Sequence, residues 1–398
     1  METTCEARRS TPPSEDEWLA VLSGSKSPSA LRDYTGPVEV FHDSSQRKGR
    51  GLRTTRAVRA GEILLIAQPL AYCEGFDKKQ ANQKIVESLL IEEDDDIISA
   101  LQDLSDGSVL DDSNTSELSR KNINGIVNVN GFQLTESRFA LYHLPSYLNH
   151  SCISNCTHVF VGNVLVSRAG RDLACGEELT FAYFIPIDLN FKARQERTQN
   201  GWNFVCSCEF CRLEMDMGEP LESMYAQCHR KLELLCKLFE QLVSGGAASR
   251  MSAASLSQQF RAVLNVVENF VQETRLNERQ ANMIRAMFIG GMSTYRALSE
   301  YCGNTDDAVQ LQCSINEVQQ VVEPGSLEQC KTSWIAKTFA ETYCLPSTRV
   351  EESADICSRV HRVRYGGYDN ERIMQLGMIK TGELLIRGKG NEWTLDFK

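Results

Sequence analysis

The sequence lacks a long apolar run and lacks an excess of basic residues. None of its 398 residues belongs to the roughly 18-residue apolar stretch that a membrane-spanning helix requires. The first residues, METTCEARRSTPPSEDEW, lack the apolar core of a secretory signal. The formal net charge of -11 argues against a general nucleic-acid binder, since such proteins usually present a basic face. We therefore expect a soluble protein of the cytoplasm or nucleus, with no membrane contact and no direct nucleic-acid binding.

The sequence also shows no disulfide framework. It has 15 cysteines, most of them scattered singly, and a reducing compartment disfavours disulfides. One dense cluster, FVCSCEFC, gives Cys206, Cys208 and Cys211 the spacing C-x-C-x2-C. Three such thiolates suit a tetrahedral zinc ion, but a structural zinc site needs a fourth ligand. Cys152 and Cys156, in the polar stretch LPSYLNHSCISNC, are the natural suppliers; a cysteine-rich turn without metal is the alternative.

The first half of the chain alternates between strand-like and helical patterns. Residues 1–35 are rich in Ser, Pro and charge, and predict a partly ordered leader with one short helix at EDEWLAVL. Short β-branched runs follow, and THVFVGNVLVSRAG contains a Gly-Asn turn typical of a hairpin. An acidic helical stretch, at about residues 76–121, interrupts the strands. Its run EEDDD is either a docking surface for a basic peptide or a set of solvated carboxylates.

Beyond Cys211 the pattern becomes helical. Successive amphipathic segments, bounded by Gly, Pro, Ser or Asn, predict an antiparallel helical array without a fixed-period repeat. The last segment, TGELLIRGKGNEWTLDFK, has no clear assignment. The predicted fold class is α+β. We expect a β domain with its helical insertion at 36–200, a zinc-binding segment at 201–215 and a helical carboxyl-terminal domain at 216–398.

Four motifs resemble those of SET-domain protein lysine methyltransferases. KGRGL at 48–52, NHSC at 149–152, GEELTFAY at 176–183 and CSCEFC at 206–211 stand in the order and approximate spacing of that family. The resemblance is greatest to the SET- and MYND-domain subfamily, in which a helix leads into the cysteine cluster and a long helical region follows. No cysteine lies between Cys73 and Cys152, where a MYND finger would need several. That finger is therefore missing from this stretch.

The resemblance implies both a fold and a set of site residues. It implies small sheets around a knot-like crossing, in which the NHSC segment and the strand before a catalytic tyrosine pass one another beside S-adenosylmethionine. It implies one structural zinc ion, held after the SET domain by Cys152, Cys206, Cys208 and Cys211. The cofactor-binding residues that it implies are Lys48, Gly49, Arg50, Gly51, Asn124, Asn149, His150, Tyr183, Trp202 and Phe204. Among these, Phe204 would stack on the adenine, and Tyr147 and Phe181 would wall the channel for the substrate lysine.

The chemistry of methyl transfer explains why such residues are needed. Transfer from a sulfonium to an amine is an in-line displacement, so the enzyme mainly aligns two reactants and presents an uncharged amine. A lysine with a pKa near 10.4 must be deprotonated, and a dry channel beside a positive charge lowers that pKa. Tyr183, at the end of GEELTFAY, is the predicted catalytic residue, which positions the amine through its hydroxyl. Its alternative is a core tyrosine that ends a strand.

These features predict an S-adenosylmethionine-dependent protein-lysine N-methyltransferase. The substrate would be an exposed lysine of a histone or of a non-histone protein, in an acidic cleft covered by the helical domain, and the enzyme would be a monomer. The rival prediction is a non-catalytic SET-fold scaffold that binds a protein partner. Binding of S-adenosylmethionine distinguishes the two.

Overall fold

The amino-terminal half of the chain builds three small sheets. A computed structural model describes residues 11–22, 24–43, 49–107, 120–187, 189–244, 252–343, 346–366, 384–389 and 392–397. The strands of the first half are β1 (Tyr34–Thr35), β2 (Val38–Asp43), β3 (Gly49–Thr54), β4 (Ile63–Ala67), β5 (Ala71–Glu74), β6 (Gly131–Thr135), β7 (Arg138–Leu141), β8 (Asn149–His150), β9 (Cys156–Val161), β10 (Val164–Ala169) and β11 (Glu178–Phe181). Their sheet orders are β1-β4-β10-β9, β2-β3-β11-β8 and β5-β7-β6.

Three pairs of successive strands, β2–β3, β6–β7 and β9–β10, are antiparallel neighbours with short connections. The β9–β10 hairpin turns at Gly162, whose φ of +67° is the left-handed conformation that glycine adopts without a side-chain clash. GEILLIAQPLAYC, by contrast, forms two strands in different sheets, β4 and β5, instead of one.

Among the described strands one pairing is parallel, and it joins residues that lie 31 positions apart in the sequence. Asn149 and His150 of β8 pair with Thr180 and Phe181 of β11. The pairing continues beyond β8, because the Ser151 amide donates to the Phe181 carbonyl over 3.2 Å. The predicted side-by-side passage of the NHSC segment and the strand before Tyr183 is therefore present in the fold.

Helices fill the insertion and most of the second half. They are α1 (Glu15–Leu22), α2 (Lys78–Leu89), α3 (Asp95–Gln102), α4 (Arg120–Asn130), α5 (Phe191–Trp202), α6 (Glu209–Val243), α7 (Ala253–Glu273), α8 (Glu278–Ala286), α9 (Ile289–Tyr301), α10 (Thr305–Val322), α11 (Leu327–Thr342) and α12 (Ser347–Tyr365). The helical insertion extends past its predicted end at residue 121, through α4. Among the described helices, none is both long and apolar enough to cross a membrane.

The predicted all-helical end of the chain is wrong at its last described residues. Strands β12 (Leu384–Lys389) and β13 (Glu392–Phe397) pair as an antiparallel hairpin there. In EWTLDF the apolar residues Trp393, Leu395 and Phe397 alternate with polar ones, a period of two that suits a strand, and the Gly-Asn pair between the two strands is a sequence typical of a hairpin turn.

The short predicted leader helix is part of the core. Trp18 of α1 is 1% exposed, and its indole Nε1 donates to the carbonyl of Tyr365, at the end of α12, over 2.7 Å. The guanidinium of Arg168, in β10, lies 5.2 Å from the centre of the Trp18 ring. The leader therefore joins the first sheet to the last described helix, although these segments are far apart in sequence.

We expect Trp18→Phe to lower the free energy of unfolding by about 1–3 kcal/mol, because the buried Tyr365 carbonyl loses its donor. Urea unfolding followed by circular dichroism measures the change. Tyr301→Phe, at a side chain that is 57% exposed, is the control and should leave stability unchanged. Equal midpoints for Trp18→Phe and the unaltered chain would contradict the assigned role of the indole.

Candidate active site and metal centre

Four cysteine side chains converge between the β half and the helical half. Cys152 follows β8, Cys206 and Cys208 lie between α5 and α6, and Cys211 lies in the first turn of α6. Their four Sγ atoms all lie within 4.8 Å of one another. Cys152 Sγ is 3.9 Å from Cys206 Sγ and 3.6 Å from Cys211 Sγ. A tetrahedral zinc site with Zn–S bonds of about 2.3 Å places its sulfur atoms about 3.8 Å apart, so the four thiols fit one zinc ion.

The structure distinguishes the two candidates for the fourth ligand. Cys152 points into the cluster. Cys156 is the first residue of β9, and its thiol donates to Asn155 Oδ1 over 3.5 Å. Burial raises the pKa of Cys156 to about 12, which keeps this thiol protonated. Cys156 is thus a buried free thiol, and Cys152 is the candidate for the fourth zinc ligand.

The segment that carries Cys206 is held by α5. The helix begins at the Asn190 cap and ends where Asn203 adopts the left-handed conformation, which turns the chain towards Phe204. The Gln195 side chain then bonds the Cys206 main chain twice: its Nε2 donates to the carbonyl over 3.0 Å, and its Oε1 accepts from the amide over 2.9 Å. The ring of Phe204 and the cysteines are therefore positioned by one short segment.

Tyr183 lies two residues after the end of β11 and is connected to the cysteine cluster through His150. Its hydroxyl donates to the Leu148 carbonyl over 2.9 Å, and its main-chain amide donates to His150 Nδ1 over 3.1 Å. Burial, with a smaller contribution from the Glu178 carboxylate, raises the pKa of Tyr183 above its ordinary value of 10.0. The phenol is therefore neutral at physiological pH and does not act as a phenolate base.

The side chain of Asn149 joins two strands. Its Nδ2 donates to the Arg50 carbonyl of β3 over 3.1 Å and to Glu178 Oε1 of β11 over 2.9 Å. Because both amide hydrogens are used within the protein, a cofactor contact from this residue must come from Oδ1 or from the main chain.

Gly51 makes room for that side chain. A Cβ atom at residue 51 would lie 2.7 Å from the Phe41 ring and 2.8 Å from Asn149 Nδ2. Gly51 does not line the cavity described below, so its observed role is this close approach within the sheet.

We expect Gly51→Ala to destabilise the protein by about 1–3 kcal/mol through overpacking. Thermal unfolding measures the loss. Gly201→Ala, where an added Cβ meets no atom within 4 Å, is the matched control and should stabilise α5 by about 0.5–1 kcal/mol. Equal destabilisation by the two variants would show that the crowding at residue 51 does not matter.

Tyr147 lies on the side of the predicted cofactor loop. The Arg50 guanidinium lies 5.0 Å from the centre of the Tyr147 ring, and its NH1 donates to the hydroxyl over 3.4 Å. The hydroxyl in turn donates to the Asp103 carbonyl over 3.3 Å. One face of this ring is thus covered by Arg50, and the residue lines the cavity described below. Lys48, predicted in the same loop, lies outside the described residues.

Asn124, which the resemblance assigns to the cofactor, lies away from the cavity described below. Asn124 is an exposed residue of α4 and does not line the cavity. The face of α4 that does line it carries Asn122, Ile126 and Val129, at the i, i+4 and i+7 spacing of one helix face. The helical period, applied to NINGIVNVNGF, could have separated Asn122 from Asn124.

Aromatic rings form a continuous wall around Tyr183. The Tyr183 ring centre lies 4.9 Å from that of Trp202 and 5.1 Å from that of Phe181. Phe181 stacks on Phe132 at 5.6 Å and meets His158 edge-on at 5.3 Å. Phe132 and His158 were not among the predicted site residues. Phe132 follows Gly131, a residue type common in turns, but it lies in none of the four motifs from which the site residues were predicted.

Two further rings complete the wall on the metal side. The His150 ring stacks on the Phe184 ring with 4.9 Å between ring centres, and its centre lies 6.0 Å from that of Phe204. The indole of Trp202 donates to the Val129 carbonyl over 3.1 Å, which attaches the end of α5 to α4. Phe184 was not among the predicted site residues, although it directly follows the predicted catalytic tyrosine.

These residues surround a cavity of about 2220 Å³. It extends from Gly49 and Arg50 past Tyr183 and Phe204 to residues 322–327, in the connection between α10 and α11. Residues of the connection between α10 and α11 therefore line one side of the cavity. The expected acidic character is wrong, because the lining contains seven Arg or Lys and six Asp or Glu residues. Several of these are paired, such as Arg171 with Glu177 and Arg279 with Glu209.

Comparisons with known proteins agree on one domain. Residues 49–184 match the model of the SET domain. A methyltransferase of Gibberella zeae is 25% identical over an alignment of 229 residues that covers 45% of this chain and 31% of the relative. The human histone-lysine N-methyltransferase SMYD3 is 32% identical over 110 residues, 28% of this chain and 25% of the relative. The chain thus covers less than a third of either relative.

A solved structure shows a weak likeness. The crystal structure of the SET domain of LSMT, bound to lysine and AdoHcy, aligns with 83% of this chain and 91% of that chain, with a TM-score of 0.29 and 12% sequence identity. A likeness of this size carries no information about the site.

Proposed function

Since residues 49–184 form a SET domain, we propose that the protein is an S-adenosylmethionine-dependent protein-lysine N-methyltransferase. The observation that carries the proposal is the position of Tyr183: the parallel pairing of β8 with β11 brings it beside His150 inside an aromatic-walled cavity. The relatives named above are methyltransferases by description, and the human one acts on histone lysine.

The residues of the cavity fit the cofactor by their chemistry. Phe204 lines the cavity with a partly exposed ring, on which a planar adenine can stack. Gly49 has a φ of +68°, and no atom lies within 4 Å of the position of its missing Cβ, so the main chain there is open to a ligand. We assign the cofactor to Gly49, Arg50, His150, Trp202 and Phe204. When bound, S-adenosylmethionine would supply the methyl group on a sulfonium sulfur.

Tyr183 would position the acceptor amine. Its proton is donated to the Leu148 carbonyl, so the phenol oxygen presents its lone pairs to the cavity. Those lone pairs can accept a hydrogen bond from a lysine Nζ and hold it in line for displacement.

The aromatic wall would supply the dry surroundings that an uncharged amine needs. Phe132, Phe181 and Trp202 exclude water from the region around the Tyr183 hydroxyl, and desolvation lowers the pKa of a lysine amine. The wall and the phenol together account for both requirements of the reaction, alignment and deprotonation.

The substrate class follows less directly from the site. The balanced charge of the lining gives no preference for a strongly basic peptide, so we propose an exposed lysine of a histone or of another protein without choosing between them. The monomeric state and a location in the cytoplasm or nucleus stay predictions from the sequence.

Calorimetric titration of the zinc-loaded chain with S-adenosylmethionine tests the first half of the proposal. We expect saturable binding, with competition by S-adenosylhomocysteine. Absence of binding to the folded, zinc-loaded protein would contradict the proposal and favour the scaffold.

A labelled methyl donor tests the second half. The chain is incubated with a panel of histones and, separately, with a cell extract, and the label is located by mass spectrometry. We expect the label on lysine Nζ. Label on arginine or on a small molecule would contradict lysine methylation while leaving cofactor binding intact.

A further inference from the structure

His150 lies between the metal centre and Tyr183 and contacts both with its two ring nitrogens. Nδ1 accepts from the Tyr183 main-chain amide over 3.1 Å, and Nε2 lies 3.4 Å from Cys152 Sγ. The ring is 8% exposed and stacks on Phe184, so its orientation is fixed by packing as well as by the two polar contacts.

The contacts determine which nitrogen carries the proton. A main-chain N–H can only donate, so Nδ1 must be the unprotonated acceptor. In the neutral ring the proton is then on Nε2, where it points at Cys152 Sγ. A zinc-bound thiolate is a hydrogen-bond acceptor, and four thiolates around one Zn²⁺ leave a net negative charge that an N–H donor stabilises.

Tyr183 is held at both ends by the same short segment. Its amide bonds His150, its hydroxyl bonds the Leu148 carbonyl, and residues 148–152 run on directly into Cys152. A displacement of Cys152 is therefore transmitted to the tyrosine through two hydrogen bonds and a few covalent links.

We propose that His150 is a positioning residue that couples zinc occupancy to the placement of Tyr183. Binding of zinc at the four cysteines orients the His150 ring through the Nε2–H to Sγ hydrogen bond, and the ring in turn fixes the Tyr183 main chain through Nδ1. The zinc ion thus acts on the active site as well as on the fold. This role of His150 is distinct from the cofactor contact that the resemblance implies for the residue. It rests on the proposed function only in naming Tyr183 as the catalytic residue.

Two conservative variants separate the two hydrogen bonds. In His150→Asn the amide oxygen replaces the Nδ1 acceptor, but the side chain is too short to reach Cys152. In His150→Gln the amide N–H reaches towards Cys152, whereas no acceptor remains at the position of Nδ1. His150→Phe removes both bonds and keeps a ring against Phe184.

Two measurements, neither of which requires catalysis, read the two bonds. The first is the rate of Zn²⁺ transfer from the loaded full-length chain to a chromophoric chelator. The second is hydrogen exchange of the Tyr183 amide, measured by mass spectrometry on zinc-loaded and zinc-free protein. Cys156→Ala, which removes a buried thiol outside the cluster, is the matched control and should match the unaltered chain in both.

We expect His150→Asn to release zinc about 10–100-fold faster while the loaded protein keeps its Tyr183 amide protected. We expect His150→Gln to release zinc at a rate close to that of the unaltered chain but to lose protection of the Tyr183 amide. His150→Phe should show both faster zinc release and loss of amide protection. In the unaltered chain, removal of zinc should accelerate exchange at Tyr183.

Identical zinc release and identical exchange in His150→Phe and the unaltered chain would overturn the proposal. So would equal effects of the Asn and Gln variants on both measurements, which would indicate general loosening of the core. Because both measurements are independent of turnover, the coupling can be upheld or overturned even if the protein methylates nothing.

Discussion

Replacement of Tyr183 by phenylalanine should lower the rate of methyl transfer by at least about 100-fold, the effect of losing the alignment of a bound reactant. The phenol oxygen is the group that faces the cavity with free lone pairs, because its proton is given to the Leu148 carbonyl. The ring itself is retained in Tyr183→Phe, so its contacts with Trp202 and Phe181 persist. We therefore expect cofactor binding close to that of the unaltered chain.

Single-turnover methylation and calorimetry measure these two quantities separately. Tyr142→Phe is the matched control, since it also removes a hydroxyl that donates to a main-chain carbonyl, that of Asn163 over 2.7 Å, but outside the cavity. The assignment of Tyr183 fails if its variant turns over as fast as the control.

Loss of the zinc ion should affect the stability of the fold more than the Tyr183→Phe substitution does. Zinc binding by a structural site contributes about 10–16 kcal/mol in isolated zinc-finger peptides at neutral pH, because the site is absent from the unfolded chain. Cys208→Ser removes one of four ligands and should release the ion. The segment between α5 and α6, which carries Phe204, then loses its attachment to Cys152, and cofactor affinity should fall with it.

Metal analysis of the purified protein, thermal unfolding and cofactor titration follow the three consequences in order. Cys156→Ser is the control, because its thiol is buried nearby but bonds Asn155 instead of the cluster. One zinc ion per chain in Cys208→Ser would exclude Cys208 as a ligand. Zinc loss without a change in cofactor affinity would separate the metal centre from the cofactor site.

The features that the sequence predicted well are local ones. The Gly-Asn turn of the β9–β10 hairpin, the leader helix α1 and the close approach of the three thiols of the C-x-C-x2-C segment each depend on residues within a few positions of one another. Backbone geometry fixes a two-residue turn or a helical period wherever it occurs, so such patterns carry over directly into structure.

The sequence was least informative where one face of a helix or one hydrogen-bond partner had to be chosen. Asn124 and Asn122 differ by two residues but point to opposite sides of α4, and the choice between them depends on which side packs on the cavity. The Arg50 guanidinium covers one face of the Tyr147 ring, and the Asn149 side-chain amide donates its two hydrogens to groups of β3 and β11. A motif names a residue but does not say which neighbour its polar atoms bond.

The sequence was therefore sufficient to predict the match to a SET domain, the order of its main elements and, through the resemblance, the four cysteines that lie together. The folded chain supplies the physical reason for Cys152 over Cys156: the Cys152 thiol lies 3.6 Å from Cys211 Sγ of α6, whereas the Cys156 thiol bonds Asn155. Only the tertiary structure shows that His150 contacts both the cysteine cluster and Tyr183. This double contact depends on the register of a parallel pairing between strands 31 residues apart, and the local pattern of a sequence does not specify a register at that separation.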